Sequence, residues 1–155
     1  MKKLNFYSRV VAIADAYDAM TTNRVYQRGM LPTVALKILV DHAGTKFDPL
    51  LVKAFVNTVG IYPVGSLVRL NTGALAVVTD ITKIPDKLAR PTVKIIADEK
   101  GRRIEDGETI DLANPTEAQK SLNIETAVHP EDYNINVAHY LFGDALAAPA
   151  EASTP

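Results

Sequence analysis

The sequence predicts an α+β protein, with a helical segment over residues 1–60 and a small antiparallel β-rich segment over residues 61–143. Up to Gly60, apolar residues recur at helical spacing, and after Tyr62 and Pro63 they fall in short runs separated by glycine turns. The length of 155 residues suits one domain or two small ones, and 47% hydrophobic with 23% charged residues is typical of globular chains. Residues 144–155 are small and polar with two prolines, and we expect them to be disordered.

Three helices are predicted in the first segment. The first extends from about Leu4 to Met20, and its apolar positions are Phe6, Val10, Ile13, Tyr17 and Met20. The second has Pro32 in its first turn and Gly44 just past its end.

The signals for the third helix are the clearest. Asp48 is the predicted N-cap, Pro49 suits the first helical position and Gly60 follows as the C-cap residue. The apolar stripe between them consists of Leu51, Val52, Phe55, Val56 and Val59.

The second segment contains strand patterns. SLVRL and ALAVVTDIT flank a glycine turn at residues 71–73 and predict a β-hairpin. PTVKIIAD predicts a further strand, and ETIDL a short one. Four or five short strands indicate either a small, partly closed barrel or a curled antiparallel sheet. A short helix is predicted within residues 130–143, with apolar groups from Ile135, Val137, Tyr140 and Leu141.

Composition excludes several classes of function. A net charge of −1 and a pI near 6.3 give no reason to expect an anionic membrane or nucleic acid as partner. The predicted strands also contain no aromatic residue on which bases could stack. Without cysteine there is no disulfide framework and no thiolate metal site. No apolar run has membrane-spanning length and the N-terminus lacks a signal-peptide core, so the chain is predicted to be cytoplasmic.

Two carboxylates in the first helix stand out. Asp15 and Asp18 are three residues apart, so they project from one side of the helix, which Val11 and Ala14 share. This side is therefore not expected to be plainly solvated, and each carboxylate should meet a cation, a metal or several hydrogen-bond donors. Spacing alone favours a structural interpretation, in which Asp18 braces the following turn and Asp15 pairs with Arg9 or Arg24.

A resemblance favours a functional interpretation. The segment RVVAIADAYDAMTTNRVYQR, followed by a helix and AGTKFDPLLVKAF, resembles the C-terminal part of HD-GYP domains. These are bacterial signal-transduction phosphodiesterases of the HD metal-dependent phosphohydrolase superfamily, and they hydrolyse cyclic di-GMP. The resemblance covers about residues 6–59.

The resemblance implies roles for individual residues. Asp15 matches a ligand of the family's iron or manganese cluster, and Arg24 matches the arginine that contacts a substrate phosphate. A second basic residue usually follows three positions later, where this chain has Gln27. Arg28 could substitute for it only if the turn is displaced by one residue. Asp18 and Tyr26 match residues that support the turn.

Most of the family's site is missing from the sequence. There is no His-Asp dipeptide, and the family's Gly-Tyr-Pro loop is matched only superficially by residues 60–63. The three histidines, His42, His129 and His139, are not spaced as ligand pairs. We therefore expect no catalytic residue and no bound cofactor on this chain, with iron or manganese and the cyclic dinucleotide binding only in the complete domain.

Two functional hypotheses follow. In the first, the chain is a C-terminal fragment of a cyclic di-GMP phosphodiesterase that is inactive alone. In the second, it is a non-catalytic interaction or dimerisation module. If upstream helices are absent, the apolar stripe of the first helix loses its cover, which predicts self-association through the N-terminal helices as a symmetric dimer. The β-rich segment resembles the small extension that follows some HD-GYP domains, and capping and protein docking both remain open for it.

Overall fold

The structure is a computed structural model that describes residues 5–143. The chain forms two compact units, Met1–Tyr62 and Pro63–Pro155, which we call the helical unit and the β unit. The disorder predicted for residues 144–155 lies outside the described residues. Between residues 5 and 143, no helix has the length and hydrophobicity needed to cross a membrane.

The helical unit contains the three helices that the sequence predicts. They are α1 (Phe6–Thr21), α2 (Pro32–Asp41) and α3 (Pro49–Val59). Asp48 caps α3 as expected, because its carboxylate accepts hydrogen bonds from the backbone N–H groups of Leu50 and Leu51 at 2.9 and 3.3 Å. Gly60 ends α3 with a φ of 89°, a left-handed conformation that glycine adopts without strain.

One face of each helix contributes to the core of the helical unit. The buried residues are Ile13 from α1, Leu36 and Leu39 from α2, and Val52 from α3. Tyr17 packs edge-to-face on Phe55 with ring centroids 5.2 Å apart, and burial raises the pKa of its phenol. The core therefore contacts the side of α1 that carries Ile13 and Tyr17, and the opposite side of this helix is exposed.

The β unit contains an open five-stranded antiparallel sheet. Its strands are β1 (Leu67–Leu70), β2 (Leu75–Asp80), β3 (Thr92–Ala97), β4 (Thr109–Asp111) and β5 (Ile124–Val128). Their order is β4-β3-β2-β1-β5, so of the two predicted alternatives the structure has the sheet and not the barrel. The β1–β2 hairpin, β3 and β4 confirm the strand predictions.

One strand of the β unit goes beyond the sequence prediction. β5 was not predicted, and it pairs with β1 from Leu67 opposite Val128 to Leu70 opposite Ile124. The predicted terminal helix is confirmed as α4 (Val137–Phe142). Its side chains pack with Ile135 against a core cluster formed by Leu67, Leu75, Val77, Ile96 and Ala97.

A candidate anion pocket after the first helix

A tight turn follows α1. Arg24 and Gln27 exchange two backbone hydrogen bonds, Arg24 N–H to Gln27 C=O at 2.8 Å and Gln27 N–H to Arg24 C=O at 3.2 Å. Val25 and Tyr26 form the two-residue tip between them. The base of the turn is tied to α1, because the backbone N–H of Met30 donates to the Met20 carbonyl at 2.7 Å.

Gly29 is required where the chain returns to α1. A Cβ atom at this residue would lie 2.2 Å from the Thr21 carbonyl oxygen and 2.9 Å from the Thr22 carbonyl carbon. The Gly29 N–H also donates to the Asn23 side-chain oxygen at 2.8 Å. Close approach to the last turn of α1 therefore needs a residue without a side chain at this position.

A pocket of about 270 Å³ opens between this turn and the end of α1. Its polar lining comes from Thr22, Arg24, Gln27 and Arg28, and the rest of the wall is Ala19, Met20, Gly29 and Met30. Arg24 and Arg28 thus lie at one pocket, and no displacement of the turn is needed to bring Arg28 there. Two guanidinium groups at a concave surface are suited to binding an anion such as phosphate.

The side of α1 that carries the two aspartates is exposed. Asp15, Asp18 and Ala14 are exposed, and Val11 has an exposed fraction of 53%. The expectation of a partly covered face is therefore wrong for the helical unit, because α2 and α3 both pack on the opposite side of α1. Asp15 precedes Ala19 of the pocket by four residues, which places it on the same face about 6 Å along the helix axis.

The two aspartates differ in their contacts. The Thr22 hydroxyl donates to the Asp18 carboxylate at 3.2 Å, so Asp18 does brace the end of α1. The Asp15 carboxylate forms no ion pair or side-chain hydrogen bond with any of residues 5–143. Arg9, one of its two expected partners, instead pairs with Asp48 at 2.8 Å and ties α1 to the start of α3. Sequence reasoning identified Asp48 as a cap but missed its contact with Arg9, which is 39 positions away in the chain.

The turn does not use Tyr26 for support. The side chain of Tyr26 is 96% exposed and that of Val25 is 95% exposed. Within the helical unit Tyr26 therefore braces nothing, and the bracing contacts come from Asp18, Asn23 and Gly29.

The residues near Asp15 do not fit a complete metal centre. Over the described range 5–143, no group of three or more histidine, aspartate or glutamate side chains is arranged to hold a metal ion. His129 lies 3.8 Å from Glu131 and His139 lies 4.0 Å from Glu105, and both pairs are in the β unit. Asp15 alone offers one hard oxygen ligand, whereas a catalytic metal site needs several.

A second surface feature of the helical unit is an apolar groove between α1 and α3. It has a volume of about 240 Å³ and is lined by Phe6, Val10, Ile13, Leu51, Ala54, Phe55 and Thr58. Phe6 is 55% exposed at its rim. A groove of this kind, with only Thr58 as a polar residue, is suited to an apolar side chain and not to a phosphate.

Several charged groups of the β unit have internal roles. Arg90 donates to the carbonyls of Leu112 and Leu122 at 2.6 and 3.1 Å and to the Asn123 side chain. The Asp98 carboxylate accepts hydrogen bonds from the backbone N–H groups of Arg102 and Lys100, which keeps its pKa below the usual range. These contacts hold loops together, so these groups do not form a phosphate-binding stripe.

Two family profiles match the chain. Residues 1–51 match the HD domain, and residues 67–136 match the KOW domain associated with HD domains. No solved structure matches the chain.

Curated relatives point the same way. A cyclic di-GMP phosphodiesterase of Pseudomonas aeruginosa is 32% identical over 126 residues, which is 81% of this chain and 30% of the relative. The cyclic di-GMP phosphodiesterase PdeB of Borreliella burgdorferi is 24% identical over 127 residues, 82% of this chain and 31% of the relative. A cyclic di-GMP phosphodiesterase of Vibrio cholerae is 42% identical over 48 residues, 31% of this chain and 10% of the relative. The chain thus spans less than a third of the length of each of these proteins.

Proposed function

Since the chain belongs to the HD-domain proteins, we propose that its helical unit forms one side of a cyclic di-GMP phosphodiesterase site of the HD-GYP type. In this proposal Arg24 and Arg28 bind a phosphate of the substrate, and Asp15 supplies one ligand to the metal centre on which such hydrolases depend. The names of the relatives support the choice of substrate.

The pocket after α1 is the observation that carries this proposal. It brings two arginines together beside the exposed face on which Asp15 lies. A phosphodiester bound by the arginines would lie about one helical turn from a carboxylate that has no cation partner among residues 5–143. Hydrolysis of a phosphodiester needs this combination of phosphate clamp and hard metal ligand at close range.

By itself, the chain is proposed to bind phosphate without hydrolysing it. Metal ions in such enzymes lower the pKa of a bound water and polarise the phosphoryl oxygen. One aspartate does not hold a metal cluster, and the described part of the chain has no group of three or more side chains that could hold a metal ion. The remaining ligands would have to come from outside residues 5–143.

Substitution of Arg24 by alanine tests the phosphate clamp. Affinity for cyclic di-GMP and for inorganic phosphate is expected to fall about 10-fold or more, because charge-assisted hydrogen bonds to a phosphate oxygen are lost. Arg24→Lys should retain part of the affinity, since it keeps the charge but not the two-pronged geometry. Calorimetric titration of the purified chain measures both effects.

Arg102→Ala is the matched control, since it removes an exposed arginine that is not among the residues lining the pocket. Equal binding by wild type, Arg24→Ala and Arg102→Ala would contradict the clamp.

A second candidate function is assembly, and the groove between α1 and α3 favours it. We propose that a second copy of the chain covers this groove through the same face of α1, in a symmetric dimer. The net charge of −1 gives little repulsion between copies. Covering each exposed large apolar side chain contributes about 1.5–3 kcal/mol at most, so a few such side chains can stabilise a contact of modest affinity.

Val10→Glu is expected to convert this dimer into a monomer, because it places a charge in the apolar groove. Leu50→Glu is the control, since it makes the same charge change at a residue that is 77% exposed and outside the groove. Sedimentation velocity over a wide range of concentrations gives the oligomeric state. A wild-type chain that is monomeric throughout this range would rule out the dimer.

A further inference from the structure

We propose that the Tyr26 ring, at the tip of the turn after α1, is a stacking platform for a purine base of the ligand whose phosphate the arginines bind. The inference rests on the proposed function, in that it assumes a nucleotide at the Arg24 pocket. It assigns to Tyr26 a contact with the base, and this contact makes the site prefer a nucleotide over a bare phosphate.

The tip of the turn is held in place and yet presents its side chains to solvent. Two backbone hydrogen bonds between Arg24 and Gln27 close the turn, and the contacts of Gly29 and Met30 tie its base to α1. Val25 and Tyr26 nevertheless make no contribution to the core, with exposed fractions of 95% and 96%. Because the backbone of the turn is already held, a ligand that covers the ring has to order only the side chain and not the turn.

The size of the pocket indicates that part of the ligand lies outside it. Pockets that enclose a drug-sized ligand have volumes of about 300–1,000 Å³, and the pocket beside Arg24 has about 270 Å³. It can hold a phosphate with its sugar, whereas the bases of a dinucleotide have to extend over the rim. Arg24 and Gln27 line the pocket, and Tyr26 lies between them in the chain, at the tip of the same turn.

The chemistry of the turn tip suits a base. Tyrosine offers a flat π-face that stacks on any purine, and such stacking depends on the presence of a ring and not on its hydroxyl group. Val25 beside it adds apolar surface without a competing charge. The arrangement therefore predicts tighter binding of a guanosine nucleotide than of the sugar phosphate alone.

Three substitutions of Tyr26 separate stacking from other effects. Tyr26→Phe keeps the ring, Tyr26→Leu keeps an apolar side chain without a ring, and Tyr26→Ala removes both. Because the side chain is almost fully exposed, none of them should change the melting temperature. Each variant of the whole chain is titrated with 5′-GMP, ribose 5-phosphate and inorganic phosphate, with chemical shifts or calorimetry as the readout.

The expected result is a loss of about 5- to 100-fold in 5′-GMP affinity for Tyr26→Ala and Tyr26→Leu, with Tyr26→Phe within about 2-fold of wild type. Affinity for ribose 5-phosphate and inorganic phosphate should be unchanged in all three variants. If 5′-GMP binds no more tightly than ribose 5-phosphate, or Tyr26→Leu binds it like wild type, the stacking role is wrong while the phosphate pocket stands. If neither phosphate nor nucleotide binds, both this inference and the proposed function are overturned.

Discussion

Replacing Gly29 with alanine is expected to destabilise the helical unit by about 2–4 kcal/mol and to remove phosphate binding. The added Cβ would lie 2.2 Å from a backbone oxygen of Thr21, which no rotation of a side chain can relieve. The turn would have to move away from α1. The hydrogen bonds from Gly29 to Asn23 and from Met30 to Met20 would then break. Arg24 would no longer be held at the pocket.

Thermal unfolding and phosphate titration of the same variant measure the two effects together. Gln27→Ala is the control, because it alters the same turn without adding an atom near the backbone, and it should change the melting temperature little. A Gly29→Ala chain with wild-type stability and affinity would mean that the turn does not depend on this close approach.

The purified chain is expected to release no product from cyclic di-GMP, even with manganese or ferrous iron in excess. The barrier to phosphodiester hydrolysis falls only when a metal-bound water and a polarised phosphoryl group are held together. Arg24 and Arg28 can hold the phosphate, but residues 5–143 contain no group of three or more side chains that could hold a metal ion. A complete enzyme should therefore turn over cyclic di-GMP, whereas this chain should show no turnover at all.

The secondary structure could be predicted from the sequence because its signals are local. Asp48 and Pro49 mark the start of α3 within two residues, and the glycine turn at residues 71–73 marks the β1–β2 hairpin. β5 was missed because its five residues have a weak apolar pattern, and it becomes a strand by pairing with β1 more than 50 residues away. The sequence of either segment alone does not predict that the two segments will pair.

The candidate site was only partly predictable for a similar reason. The resemblance identified Asp15 and Arg24, and the spacing identified Asp18. Neither the resemblance nor the spacing identified Gly29, whose role depends on how closely the returning chain approaches Thr21. Sequence reasoning also did not place Arg28 at the pocket, because the spacing of residues along the chain cannot show which side chains line a concave surface. The exposure of Val11 and Asp15 also depended on which side of α1 the other helices cover.

The most direct test of the central claim is an anaerobic hydrolysis assay of the purified chain with cyclic di-GMP and excess manganese or ferrous iron. We expect no linear dinucleotide or mononucleotide product, although the chain binds the substrate through Arg24. Product that persists in Asp15→Ala would come from a contaminating phosphodiesterase. Product that forms with the wild-type chain and disappears in Asp15→Ala would contradict the proposed inactivity, because the chain would then complete a metal site of its own.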